Sequence, residues 1–560
     1  MRSRWPQWAS RFGIVSLSFL CMTCKGKSGG VAAAIACSLL SASVNQQSLT
    51  VGLSQALLSQ LQDQQQNNLV QDPDALNVTI KNAINNALEA VSLSSQINVK
   101  NVAAVPKALG EDDGVRFLEL GGNLAPGVSF ASSLLKLPEV QNALATNFRL
   151  ADGKAFNFVE DSFRVSKTGR VSEHQLTQAS GQQWAYDQTS ATEARTVADG
   201  LQNVRDQVVV AVIDTGVGQQ HPALKDNLYT VNGAVKGYDF ANNDADPEDD
   251  DGHGTHCAGI IAAKKVDENG MVGVGELLAP GKIKIMPIKA LGSKGGSTDA
   301  VNKAIRYAMA EGAHVISMSL GGGVDFQNLV SSNGTESQIM RDAINAGIIV
   351  VVAAGNENCP LGGECKQQTL FVLNQTIKEY TVLPCSYNGT ICVGASDPDA
   401  TLASYSNFPS ELTKGVDPSV VNPATKRTSP DITAPGSAIY STYLNNGYKT
   451  LDGTSMAAPY VAGLAALFQL KAAADKRNTD GSIQQTFRRV LQEAELDLAQ
   501  EQSETRSYVG QVDLLHYMKK LRELNTGTPA GAAPPLKAVE EPAGEESGEA
   551  PNALATICGG

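Results

Sequence analysis

The sequence predicts an α/β fold with a mostly parallel central sheet, preceded by a small α+β unit, and three observations predict it. Short apolar, β-branched runs recur at 208–213, 283–289, 314–318, 348–353 and 391–393, as strands buried on both faces require. Segments with a 3.6-residue apolar period lie between them, at 299–311 and 336–346. Each of these is followed by a glycine, Gly312 or Gly347, suited to a helix stop.

At 560 residues the chain exceeds one ordinary core, so two folded units with dispensable ends are expected. A hydrophobic content of 42% with 18% charged residues is that of a globular protein. The formal charge of −13 argues against nucleic acid or an anionic membrane as principal partner.

The amino end carries Arg2, Arg4 and Arg11, then an apolar run at 13–22, then Lys25 and Lys27 before a second run at 31–40 that ends in Ser41-Ala42-Ser43. Residues 1–43 therefore read as a leader cut near Ser43, which makes the protein secreted, extracellular or periplasmic. Neither run reaches the about 18 to 20 apolar residues needed to cross a bilayer, so no stable membrane span is expected. Met22 is an alternative start, because the second basic-apolar-small series is complete by itself. A retained anchor and lipidation at Cys37 are the other readings of this segment.

Residues 44–181 are rich in Gln, Asn, Ala and Leu and hold no catalytic motif, which fits a prosegment; a free-standing partner-binding domain is the alternative. Ile84, Ala87, Leu88 and Val91 have helical spacing and 115–120 reads as a short strand, together a small α+β domain. Residues 182–524 carry the α/β pattern, and 525–560 turn to Pro, Ala, Gly and Glu, a tail expected to be disordered. Three of the nine cysteines lie in the leader and Cys558 in the tail. Cys359, Cys365, Cys385 and Cys392 cluster without an interleaved histidine, so two local disulfides are expected rather than zinc, with all three pairings open.

Chemistry concentrates where strands give way to loops or helices, the place where loops and unpaired helix amides converge in an open parallel sheet. Asp214 ends the run 208–213 and precedes Thr215-Gly216; a carboxylate there can fix the tautomer of an imidazole, although this tripeptide alone is equally a turn cap. His253 lies in Asp251-Gly252-His253-Gly254-Thr255-His256-Cys257 at the start of an apolar helix, where Gly252 and Gly254 allow close approach to a general base. His253 and His256 lack a third ligand and the spacing of a zinc pair. Ser455, in Gly453-Thr454-Ser455-Met456-Ala457-Ala458-Pro459, also opens a helix, beside free amides and the positive end of its dipole. Pro459 is expected within the first helical turn, where its missing amide costs nothing. Asn356, after the run 348–353 and Ala354-Gly355, can donate to an oxyanion without changing charge. Ahead of His253, Asp244, Asp246, Glu248, Asp249, Asp250 and Asp251 form a density of acids that calls for a cation or much water.

In the order Asp, His, Asn, Ser, with these flanks, residues 183–521 resemble the subtilisin-like serine proteases, or subtilases. The resemblance rests on Trp184, Asp214-Thr215-Gly216, His253-Gly254-Thr255-His256, Ser319-Leu320-Gly321-Gly322, Ala354-Gly355-Asn356 and the block from Gly453 to Pro459. It implies a three-layer fold and a serine endopeptidase that hydrolyses peptide bonds through an acyl-enzyme, with Asp214, His253 and Ser455 as triad and Asn356 as oxyanion donor. The chain order separates it from α/β-hydrolases and chymotrypsin-like enzymes.

The resemblance further implies that polypeptide substrates add as a strand to edges at Gly295, Gly296, Ser319, Leu320 and Gly321, giving broad recognition, with Gly321, Ala354 and Gly355 walling a primary pocket floored near Ser386. Glu357 falls at the pocket rim, so a large apolar side chain is the first expectation for the pocket, with a basic one at the lip as the alternative; the acidic pocket set of kexin-like enzymes is not apparent. The prosegment would act as intramolecular inhibitor and chaperone and be removed autocatalytically. Asp239-Phe240-Ala241-Asn242-Asn243-Asp244 resembles the calcium loop of thermitase-like members, so structural calcium is expected at Asp244, Asp246 and Asp249, with no catalytic cofactor. Ala223 stands where a second, tight calcium site usually has Asp. Cys257 should be a buried free thiol beneath His253, as in proteinase K-like members. An inactive scaffold that binds peptides in the same cleft is the reading of a different class.

Overall fold

The computed structural model describes residues 44–60, 73–92, 94, 98–104, 115–121, 135, 137–147, 150, 154–168, 170–171, 184–198, 205–325, 337–368, 374–377, 380–387, 389–410, 430–471, 482–496 and 510–523. The expected leader with Cys37, the boundaries at 181/182 and 524, and the tail with Cys558 lie outside the described residues. The chain divides into Met1–Leu524 and Asn525–Gly560, and only the first contains described residues. Among the described residues no helix is long and apolar enough to cross a membrane.

The amino-terminal layer is built from β1 (Val44–Leu53), α1 (Pro73–Ala90), β2 (Asn98–Ala103), β3 (Val115–Gly121), α2 (Pro138–Asn147) and β4 (Phe156–Lys167), followed by the short β5 (Arg170–Val171). Its antiparallel sheet runs β4-β1-β3-β2. Alternation along β3 divides its side chains: Leu118 and Leu120 join Ile80, Ile84, Ala87 and Leu88 of α1 in one core, while Val115 and Phe117 face the other way. The amide of Asn85 ties α1 to the edge strand, donating to Val99 O at 2.9 Å and accepting from Val99 N at 2.7 Å. Of these elements the sequence pattern marked only α1 and β3.

The larger layer contains β6 (Val208–Asp214), β7 (Tyr238–Asp239), α3 (His253–Ala262), β8 (Ile283–Lys289), β9 (Gly295–Ser297), α4 (Thr298–Ala310), β10 (Val315–Met318), β11 (Leu320–Asp325) and α5 (Gln338–Asn345). It continues with β12 (Ile349–Ala353), β13 (Ile391–Ser396), β14 (Ile432–Pro435), β15 (Tyr448–Asp452), α6 (Thr454–Lys471), β16 (Glu495–Leu496) and β17 (Gln511–Val512). Nine strands form one sheet in the order β16-β17-β14-β13-β12-β10-β6-β8-β7. Every pairing in it is parallel except that of β16 with β17 at the edge. Burial on both faces is visible in β6: Val208, Val210 and Val212 enter one core with the wholly buried α6, and Val209, Ala211 and Ile213 enter the other with α4 and α5. This is the predicted three-layer α/β arrangement. The helix stops are as expected too, with Gly312 and Gly347 both at φ +79°.

Two disulfides join Cys359 to Cys365 and Cys385 to Cys392, which selects one of the three pairings left open by spacing.

The two layers meet along α4 and β4. Val115, Phe117 and Val165 share a core with Val301, Ala304 and Ile305 of α4, and Lys303 Nζ sits 5.3 Å from the ring centroid of Phe117. Strand β4 serves both layers. Its first part pairs with β1, as in Phe158 opposite Gly52, and its last residues leave that sheet. There Arg164 and Val165 face Ser297 and Gly296 of β9, while Ser166 and Lys167 face Gly321 and Leu320 of β11.

Candidate active site

Asp214 is the last residue of β6 and is fully buried, so its carboxylate needs donors. Oδ1 accepts from Thr215 N and from His253 Nδ1, each at 2.7 Å. His253 opens α3, and its approach to Asp214 depends on two glycines. A Cβ at Gly254 would stand 2.1 Å from Gly216 O, and one at Gly252, already at φ +100°, would stand 2.4 Å from the ring of Tyr443. The Nδ1 contact leaves Nε2 buried without a hydrogen-bond partner.

Ser455 is the second residue of α6 and is fully buried. Its Oγ donates to Ser319 O at 3.0 Å, accepts from Thr168 N at 3.1 Å and lies 2.5 Å from Thr168 Oγ1. The nucleophile candidate thus meets the residue just after β4. Thr168 N also donates to Ser319 O at 3.3 Å, and Thr168 O accepts a short hydrogen bond from Asn356 Nδ2. The Asn356 amide is oriented from behind, since its Oδ1 accepts from Thr454 N at 2.9 Å and Thr454 Oγ1 at 3.0 Å. Beyond Thr168 the chain pairs again, with Arg170 opposite Asp452 and Val171 opposite Leu451 of β15.

Most residues expected to bind substrate are therefore in contact with this chain's own segment 164–168. Gly295 and Gly296 line one side and Leu320 and Gly321 the other, and a Cβ at Gly295 would press to 2.5 Å from Val165 O. Gly321 and Gly355 both converge on Val382, at 2.8 Å and 3.3 Å from where their Cβ atoms would be. Ala354 O accepts from Asn407 Nδ2 at 2.8 Å, which holds this wall in place. Asn407 Nδ2 also donates to Glu357 Oε2 at 2.7 Å, so the exposed Glu357 is anchored at the rim. Ser386 donates its N–H to Val382 O at 2.8 Å, while its hydroxyl is buried without a hydrogen-bond partner. Thr168, Lys167 and Val382 were missed in the sequence because none sits in a recognisable motif, and Thr454, though inside the Gly453–Pro459 block, was given no role because its contact with Asn356 comes from the tertiary fold.

Pro459 corrects one expectation. It is the sixth residue of α6, past the first turn, so it strips Ser455 O of its helical donor. Ser319 Oγ at 2.8 Å and Cys257 Sγ at 3.4 Å supply donors instead. Cys257 is free and buried, as expected, and burial together with the Asp214 charge pushes its pKa well above the usual thiol range. Asp214, His253 and Cys257 each bring one polar atom within 4.8 Å of the others. With the thiol protonated and the Asp and His bonded to each other, this group does not fit a metal. His256 turns away, its Nε2 3.0 Å from both Ile439 O and Lys449 O.

The acidic loop also departs from expectation. Asp249 is buried and accepts from Thr215 Oγ1, Asp251 N, Gly252 N, Thr255 N and Thr255 Oγ1 at 2.6 to 3.0 Å, so it caps the start of α3. Burial raises its pKa against the pull of those bonds. Asp244, Asp246 and Asp249 do not bring one oxygen each within 4.8 Å of one another, and Asp249 has no oxygen left for an ion. Asp244, Asp246 and Glu248 are exposed. Asp250 pairs with the buried Lys289 at 2.7 Å, and Asp251 pairs through both oxygens with Lys167 Nζ.

The family model described as the subtilase family, peptidase S8, matches residues 205–508. Thermitase of Thermoactinomyces vulgaris is 35% identical over 289 residues, which cover 51% of this chain and 82% of thermitase. The thermophilic serine proteinase of Bacillus sp. (strain AK1) is 30% identical over 400 residues, 69% of this chain and 84% of that protein. Subtilisin DY of Bacillus licheniformis is 35% identical over 265 residues, 47% of this chain and 77% of that protein. A solved cold adapted subtilisin-like serine proteinase is 29% identical and covers 54% of this chain and 86% of that chain, with a TM-score of 0.37. The chain belongs to the subtilase family and is a serine endopeptidase.

Proposed function

We propose that the protein is a secreted subtilase, made as a precursor whose residues 44–168 occupy its own cleft, and that Thr168–Gly169 is the first bond it cuts. The observation that carries this reading is the seating of Thr168. Its carbonyl oxygen meets Asn356 Nδ2, its N–H meets Ser455 Oγ and Ser319 O, and the chain is strand-paired before and after it. Holding a carbonyl between an oxyanion donor and a nucleophile in this way is the positioning that attack on it requires. The boundary of the prosegment then falls at 168/169 rather than 181/182.

In the proposed mechanism Ser455 Oγ exchanges Ser319 O for the unpartnered His253 Nε2, gives up its proton there and attacks the Thr168 carbonyl carbon. Asp214, bonded to Nδ1, holds the ring and stabilises the imidazolium. Asn356 Nδ2 donates to the oxyanion of the tetrahedral intermediate. The proton on Nε2 then passes to the Gly169 amine as the C–N bond breaks, and water releases the acyl group by the same steps in reverse. Once residues 44–168 leave, other polypeptides pair with β9 and β11, mostly through main-chain bonds, which supports broad recognition. Structural calcium belongs to the same proposal, with exposed carboxylate oxygens from Asp244 and Asp246; since no three acids of this loop converge within 4.8 Å, main-chain oxygens and water would complete the set.

The test is a fluorophosphonate probe together with amino-terminal sequencing. Wild-type protein should be labelled and should mature to a chain beginning at Gly169, found in the culture medium. Ser455→Ala should be unlabelled and should keep residues 44–168 attached. A labelled Ser455→Ala protein, or a Ser455→Ala protein that matures when purified alone, would sink the assignment.

A further inference from the structure

The acids ahead of His253 are not equivalent. Asp249 is consumed by the cap of α3 and Asp250 by Lys289, which leaves Asp251 as the acid of this run that meets the segment lying in the cleft. Its backbone is fixed on both sides: Asp251 N donates to Asp249 Oδ1 at 3.0 Å, and Asp251 O accepts from Tyr443 OH at 2.9 Å. Gly252, packed against the Tyr443 ring with no room for a Cβ, holds the turn between Asp251 and His253. The carboxylate is only 12% exposed, and both oxygens accept from Lys167 Nζ, itself 30% exposed. Lys167 immediately precedes Thr168 and pairs across from Leu320, so strand alternation sends its side chain to the opposite face from those of Ser166 and Thr168. An ammonium group at this register meets a carboxylate whose backbone is already fixed and which the seated strand itself largely desolvates; a neutral side chain would cover that carboxylate without pairing it, and an acidic one would oppose it.

We propose that Asp251 makes the cleft selective for lysine or arginine at the residue preceding the one whose carbonyl is attacked. The substrates are then polypeptides with a basic residue one position before the acyl-donating residue, and Lys167-Thr168 is the copy carried in the chain itself. The proposal rests on the reading of Thr168–Gly169 as a substrate bond. It narrows main-chain recognition at one position and leaves the primary pocket to its own preference.

The test uses the mature enzyme and internally quenched peptides with the sequence of residues 163–172, carrying Lys, Arg, Gln or Glu at the place of Lys167. Rates are compared as kcat/KM ratios within each enzyme, so a general loss of activity in a variant cancels. Wild type should favour Lys and Arg over Glu by roughly tenfold or more at low ionic strength, the ratio shrinking as salt is added. Asp251→Asn should bring the ratio near one, and Asp251→Lys should invert it. Equal cleavage of all four peptides by wild type, or an undiminished Lys preference in Asp251→Asn, overturns this proposal and leaves the hydrolase reading standing. Failure to cut any of them, with no fluorophosphonate labelling of Ser455, overturns both.

Discussion

Cys257 Sγ lies 3.4 Å from Ser455 O, the carbonyl that Pro459 leaves without its helical amide. Ser319 Oγ is the second donor to the same oxygen, at 2.8 Å. A buried carbonyl with two donors tolerates losing one. In a Ser455→Ala background, which prevents self-digestion, Cys257→Ala and Ser319→Ala should each be mildly destabilising. The double variant should lose about 1 to 3 kcal/mol beyond their sum, because only then is the oxygen buried with no donor. Urea unfolding of the four proteins measures this, and additive losses would show that the two side chains do not share the task.

Asn356 sits with its Oδ1 accepting from Thr454 and its Nδ2 facing the Thr168 carbonyl. Because the donor matters most when charge develops on that oxygen, Asn356→Ala should lower kcat by about 10²- to 10³-fold, roughly 3 to 4 kcal/mol, with KM little changed. Asn356→Asp keeps the shape and loses the donor, so it should be at least as slow. Steady-state kinetics on a peptide substrate decide the matter; a change confined to KM would point to a role in ground-state binding instead.

His256 couples the stability of the fold to acid. It is wholly buried, and burial lowers its pKa to about 3. The unfolded chain, with an ordinary histidine near 6.5, binds the proton first, so folding stability should fall as pH drops from about 6.5 toward 3. At about 1.4 kcal/mol per pH unit the full window is worth on the order of 5 kcal/mol. Urea midpoints measured across this window should fall less steeply in His256→Gln than in its parent, both in the Ser455→Ala background. Parallel curves would show that this ring takes no part.

The residues proposed for chemistry were legible because each sits at a strand end or helix start with small neighbours that fix its surroundings locally. Asp214 closes an all-buried run, and His253 and Ser455 each open a helix. Strand β4 was not legible. It changes partners midway, from β1 to β9 and β11, and neither its hydrophobic pattern nor its length reports that handover. Nor could spacing divide the work among six nearby acids. Asp249, Asp250 and Asp251 are adjacent and chemically identical, and only Thr215 and Thr255, Lys289 and Lys167, all brought in by the tertiary fold, tell them apart. Pro459 was misplaced within its helix for the same reason: what relieves its missing amide comes from Cys257 and Ser319, on other elements.

The distinction between Asp249 and its exposed neighbours separates two effects that a single substitution would confuse. Asp249→Asn should destabilise the fold by about 1 kcal/mol or more, with or without calcium, because both carboxylate oxygens accept at the start of α3 and the amide turns one of these acceptors into a donor. Chelation should lower the Tm of wild type, and that decrement should persist in Asp249→Asn because no ion is lost with the cap. In Asp244→Asn and Asp246→Asn the decrement should shrink, since these carboxylates are exposed and supply the proposed ligands. Thermal unfolding of the Ser455→Ala versions, with excess calcium and with chelator, reads both terms. An unchanged Tm on chelating wild type removes calcium from the proposal, and a decrement lost in Asp249→Asn but kept in Asp244→Asn would return the ion to the buried carboxylate.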